Sequence, residues 1–179
     1  AAAGVAGTDL TDAFSATVIY LVIFAVMNLG AFAVVIAGAR RTGTGDINGW
    51  AGLGSYDPRL GVLAAVFFFS LAGIPPLAGW FAKFVMFRSV IIAGGTATVV
   101  LAVIAAINTV IAFYYYARVI KSIWLDEAPV AGLGDREAVP AGSLRLALAI
   151  AGVLTVLVGV FPTIASIFGE ASRVLASGG

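Results

Sequence analysis

The residues able to do chemistry are concentrated in one stretch, Ser70-Leu71-Ala72-Gly73-Ile74-Pro75-Pro76-Leu77-Ala78-Gly79-Trp80-Phe81-Ala82-Lys83-Phe84, where an apolar segment carries a double proline and a lysine. Pro75 and Pro76 have no N–H, so the carbonyls of Leu71 and Ala72 lose the donors that a continuous helix would bring them. One interior proline costs a helix about 3 kcal/mol, and two in succession predict a break. Gly73 and Gly79 bracket the pair with residues that tolerate irregular dihedrals. The pattern predicts two half-helices meeting at an unwound turn, and irregular backbone at bilayer depth is tolerated only where it is buried in protein or lines a water-filled cavity. Lys83 follows the break by about one turn. An ammonium at the bilayer centre costs roughly 2.5 to 3.5 kcal/mol on insertion scales, and lysines placed there mark proton relays and ion paths. Desolvation disfavours the charged form while a nearby carboxylate or the negative end of the first half-helix restores it, so a small change nearby moves a proton; arginine, always protonated, would not serve. A second reading stands beside this one. Arg59 and Lys83 enclose 23 uncharged residues, so Lys83 could close a conventional span and snorkel to the headgroups.

The composition decides what surrounds this stretch. Hydrophobic residues make up 61% of the 179 and charged residues 11%, with a mean hydropathy of +1.09, which places the chain among integral membrane proteins. Cysteine and histidine are both absent, which excludes disulfides, thiolate chemistry, histidine-ligated metals and axial haem ligands. The net charge is +1 and no basic stripe with interleaved aromatics occurs, so nucleic-acid binding is unsupported. No nucleophile constellation, metal cluster or phosphate loop indicates an independent enzyme.

The predicted fold is an all-α membrane bundle of four spans, one membrane domain over residues 1–179. Ala1 to Thr11 reads as the end of a loop, and the spans cover about 13–39, 60–93 (broken near 73–79), 97–117 and 144–168. Arg40 to Arg59, with five glycines, reads as a loop, as does Lys121 to Ser143, with Pro129 and Pro140. Asn28, Ser70, Asn108 and Tyr116 are candidate contacts of a water wire; the plainer role of the two asparagines is a hydrogen bond within the bundle. Tyr114 to Tyr116 and Trp124, with Arg118 and Lys121, form an interfacial belt. Arg40, Arg41, Arg59, Arg118, Lys121, Arg136 and Arg145 fall on one side of this topology against Arg88 and Arg173 on the other, which predicts cytoplasmic long loops.

The stretch Ser70 to Phe84 resembles the broken-helix signature of the antiporter-like subunits of respiratory complex I, above all the N-subunit (subunit 2) family. The likeness continues upstream through Tyr20-Leu21, Met27-Asn28-Leu29-Gly30-Ala31-Phe32, Asp46, Gly52-Leu53 and Pro58, and downstream through Asn108 and Tyr114-Tyr115-Tyr116-Ala117-Arg118-Val119-Ile120. Residues 144–168 match only as a hydrophobic span. The lysine of that family's terminal proton half-channel falls on Lys83, and Trp80 stands where the family's phenylalanine is usual. The resemblance implies a C-terminal portion of a longer chain built from inverted repeats. It further implies a role in proton translocation as a subunit of NADH:quinone oxidoreductase, with no cofactor or metal in this chain. Flavin, iron–sulfur clusters and quinone would lie on other subunits, neighbouring membrane-arm subunits would be the partners, and the location would be an energy-coupling membrane, a bacterial plasma membrane by composition. Subunits of multisubunit sodium/proton antiporters share the I-P-P-L-x-G turn and supply one alternative. A structural membrane anchor without its own channel supplies another.

Overall fold

The computed structural model describes residues 2–128 and 142–164, with side chains from residue 14 onward except that of Ala93. All regular structure among them is helical: α1 (Ala2–Thr42), a 3-10 turn (Ile47–Trp50), α2 (Leu53–Tyr56), α3 (Pro58–Ala72), α4 (Ala78–Ala93), α5 (Thr96–Leu125) and α6 (Gly142–Val160). Three stretches are long and apolar enough to cross a bilayer alone, Phe14–Thr42, Thr96–Leu125 and Gly142–Val160. Neither α3, with 15 residues, nor α4, with 16, reaches that length. At a rise of about 1.5 Å per residue each spans under ~25 Å of a hydrocarbon core ~30 Å thick, so the pair crosses it only in series.

α1 packs against α3, α4 and α6, while α5 lies along α3 and α4. The ridge of α1 that enters the core follows a four-residue spacing, Ile19, Ile23, Met27 and Ala31, the spacing that brings side chains onto one helix face. Small residues on the same helix let its neighbours come close. The Phe67 ring of α3 occupies the space where a Cβ of Gly30 would stand, and Trp50 packs where one on Gly38 would. Phe67, Leu53, Leu60, Val34 and Ile123 are the large apolar side chains fully enclosed there.

Several expected boundaries move. The backbone of α1 is already helical from Ala2, where a loop end was expected, because alanine and valine there are compatible with helix and no proline interrupts them. α5 continues to Leu125, eight residues past the expected end of the third span, so Lys121 and Trp124 lie on helix rather than in an exposed loop. The segment after Arg40 contains the 3-10 turn and α2 instead of plain loop. α6 stops at Val160, since Pro162 cannot donate to the helix; residues 165–168 of the expected fourth span lie outside the described residues. Also outside them lie Pro129, Pro140, Arg136 and Arg173.

The connection before α3 docks beneath the far end of α5. Gly52 N donates to Ser122 O at 3.0 Å, Ser122 Oγ donates to Ile47 O at 3.0 Å, and the Trp124 ring lies against Gly54. The end of α1, the start of α3 and the end of α5 therefore share one end of the bundle. α4 and α5 join at the other end, through Gly94 and Gly95 with φ of 67° and 96°.

Candidate functional site: a lysine on a broken helix

α3 ends at Ala72 and helix resumes at Ala78. Gly73 takes the left-handed conformation, φ 89°, and the closing turn is a Schellman motif: Gly73 N donates to Ser70 O at 2.9 Å and Ile74 N to Phe69 O at 3.0 Å. The Pro75–Pro76 peptide is cis. Two carbonyls remain, those of Leu71 and Ala72, whose helical donors the prolines have removed. Lys83 supplies them. Its Nζ donates to Leu71 O at 3.0 Å and to Ala72 O at 2.9 Å, and the half-buried side chain folds back from α4 onto the end of α3.

The arrangement is electrostatically consistent. The C-terminal end of a helix carries roughly half a negative charge, and a cation within its last turn is stabilised. Charge-assisted bonds of this kind are about twice as strong as neutral ones. Two of the three ammonium N–H groups are spent on α3, which leaves one for water. Gly73 makes the approach possible: a Cβ there would stand 2.9 Å from Lys83 Cδ and 3.2 Å from Nζ.

The start of α4 is fixed by two further donors. Gly79 N donates to Ser70 Oγ at 3.0 Å, and the hydroxyl donates in turn to Met27 Sδ of α1 at 2.8 Å. A Cβ on Gly79 would collide with Ser70 O, so glycine is required by the close approach of α3 and α4. The Trp80 indole Nε1 donates to Gly159 O of α6 at 3.4 Å, and Gly159 lies directly on Pro76 O and Leu77. α6 thus ends against the break.

The other sequence candidates divide. Asn28 bonds within α1, Nδ2 donating to Phe24 O at 2.9 Å, rather than across to another helix. Asn108 is exposed on α5. Tyr116 is half-buried and stacks on Phe68 of α3, ring centroids 5.8 Å apart. Ser70 is fully buried with its hydroxyl committed to Gly79 and Met27. Pro75 and Pro76 lie in the turn itself. Gly159 carries no mark of its own in the sequence beyond the Phe161-Pro162 pair that follows it, and Met27, which the sequence offers only as part of the resemblance, enters the site through the Ser70 hydroxyl.

An apolar cavity of about 130 Å³ lies between α1, α6 and the start of α4, lined by Met27, Ala78, Thr155 and Val158 among others. Lys83 is not among the residues that line it.

A second polar cluster lies at the loop end of the bundle. Arg41 Nε is 3.4 Å from Asp57 Oδ2, both side chains almost wholly enclosed, and the guanidinium stands 5.7 Å from the centre of the Tyr56 ring. Asp57 also caps α3, its Oδ1 accepting from Leu60 N at 3.3 Å. Burial pushes the Tyr56 phenol above its ordinary value; Arg41 opposes this and Asp57 adds to it. Among the described residues no group of three acidic residues could hold a metal.

The family model for the transmembrane region of NADH:quinone oxidoreductase and Mrp antiporter subunits matches residues 3–111. NADH-quinone oxidoreductase subunit N of Methylobacterium nodulans is 40% identical over 173 residues, 95% of this chain and 34% of the relative. The subunit N of Anaeromyxobacter sp. is 39% identical over 144 residues, 75% of this chain and 28% of the relative, and that of Rhodospirillum rubrum is 42% identical over 125, 69% and 24%. The chain spans between about a quarter and about a third of the length of these curated relatives. With more than half its length matched by the family model, it belongs to the family of transmembrane subunits of NADH:quinone oxidoreductases and Mrp antiporters.

Proposed function

We propose that this chain is part of a proton-translocating membrane-arm subunit of an NADH:quinone oxidoreductase, in which Lys83 is a proton relay. The observation that carries the reading is the ammonium held on two stranded carbonyls at a helix break. A proton carrier needs a charged form that is stabilised but not locked, and Lys83 meets both conditions: helix-end charge favours the ammonium, half-burial disfavours it, and one N–H remains for exchange with water. The curated relatives, all named as subunit N, favour this over the antiporter alternative. Contact with backbone carbonyls at the break favours it over an end-of-span lysine in the headgroups. On this reading the electron-transfer steps, with flavin, iron–sulfur clusters and quinone, take place on other subunits of the complex. Neighbouring membrane-arm subunits are the partners, the membrane is a bacterial plasma membrane, and the end bearing the α1–α3 connection faces the cytoplasm.

Replacing Lys83 in the assembled complex tests it. In proteoliposomes, Lys83→Ala should assemble and lose most of its pumping per electron. Lys83→Arg should also fail, because guanidinium keeps its charge but does not release its proton. Normal pumping per electron in an assembled Lys83→Ala complex would end the proposal.

A further inference from the structure

We infer that Ser70 is a positioning residue for Lys83: by joining α3 to α4 and α1 through one hydroxyl, it holds the lysine in register with the carbonyls that bind it. Gly79 and Lys83 are four residues apart on α4 and so lie on one helix face, one turn above the other. Ser70, Leu71 and Ala72 are the last three residues of α3. The Gly79–Ser70 bond at 3.0 Å and the two Lys83 bonds at 2.9 and 3.0 Å are thus successive rungs between the same two helix ends. The hydroxyl serves both sides, a lone pair to the Gly79 N–H and its proton to Met27 Sδ. It is fully enclosed, and its donor and one acceptor site are already taken by protein. This differs from a place in a water chain, the role expected for it from sequence.

Loss of the hydroxyl leaves a buried N–H at the start of α4 without its acceptor, a cost the structure relieves by shifting that helix end. Because Lys83 is carried by the same face, the shift moves its ammonium off the α3 carbonyls. The functional consequence rests on the relay reading of Lys83; the geometric one does not.

The test uses the intact complex with Ser70→Ala, Ser70→Cys and Lys83→Ala in separate preparations, each measured for protons pumped per electron and, for the Ser70 variants, imaged by cryo-electron microscopy. Ser70→Ala should lengthen both Lys83 contacts beyond hydrogen-bond range and lower pumping per electron about two- to tenfold, the factor equivalent to one lost hydrogen bond. Ser70→Cys, which keeps a weaker donor and acceptor, should recover part of both. Should the alanine variant not assemble, the cysteine variant decides the matter on the same two measurements. Lys83 still seated on Leu71 and Ala72 overturns the inference whether pumping is normal or reduced, the latter outcome assigning Ser70 to a water path instead. A displaced Lys83 with normal pumping upholds the positioning role and defeats the relay; normal pumping in Lys83→Ala defeats the relay alone.

Discussion

At the scale of single residues, Lys83 closes the end of a helix to which it does not belong, its ammonium taking the two carbonyls that Pro75 and Pro76 leave without helical donors at the end of α3. Pro75 and Pro76 could be read as stranding the carbonyls of Leu71 and Ala72, because the loss of N–H is local chemistry. Which group would take them could not be read, since Lys83 is 12 and 11 residues away and reaches them only once α4 has folded back on α3. Gly73 has two independent reasons to be glycine, its φ of 89° and the Lys83 side chain beside it. Gly73→Ala should therefore do more than the ~1–3 kcal/mol of strain that a left-handed non-glycine residue brings. It should also push Lys83 aside. The expected result is a less heat-stable complex with reduced pumping per electron, read by thermal inactivation and by proton uptake. An alanine variant with wild-type values for both would show that neither the backbone conformation nor the lysine contact matters there.

At the scale of elements, two proline-ended helices converge on the start of α4, which donates to both: Gly79 N–H and Lys83 to α3, the Trp80 indole to α6. The Trp80 bond is one that a phenylalanine at this position could not make. The break was legible because prolines and glycines act locally, but the helix ends near the charged residues were not. Reading a span stops at Arg40 or Arg118, while the helices run on to Thr42 and Leu125 beyond the apolar stretch. The enclosed Arg41–Asp57 pair was likewise invisible as a pair, its members being 16 positions apart and each plausible as a loop charge. Asp57 does two things, pairing with Arg41 and capping α3 ahead of Pro58. Asp57→Ala removes both, a loss of at least the roughly 1 kcal/mol that a helix cap contributes, to which the lost attraction for the enclosed Arg41 adds. Asp57→Asn retains an oxygen for the cap and should lie between alanine and wild type. The amount of assembled subunit on native gels should follow that order, and equal levels for all three would mean that the pair contributes nothing to folding.

At the scale of the whole molecule, the arrangement of ends makes a topology that can be checked without reference to any mechanism. The end of α1, the start of α3 and the end of α5 share one end of the bundle through the Gly52–Ser122 and Ser122–Ile47 bonds, and the α4–α5 turn occupies the other. That arrangement requires α3 and α4 to cross in series, which neither could do alone. These 179 residues contain no cysteine, so none of their own thiols competes with an introduced one. Gly45, where a Cβ meets nothing within 4 Å, and exposed Glu127 stand for one end; exposed Thr96 stands for the other. An impermeant thiol reagent should label Gly45→Cys and Glu127→Cys from the same side, and Thr96→Cys only from the opposite one. On the proposed orientation, in which the end richer in arginine and lysine faces the cytoplasm, inside-out vesicles should label the first two and right-side-out vesicles the third. Labelling of Gly45→Cys and Thr96→Cys from one side would mean that α3 and α4 turn back within the membrane as a re-entrant pair. In that case Lys83 would be reached from the same face as the loops, and the break would be the tip of a hairpin rather than the middle of a crossing.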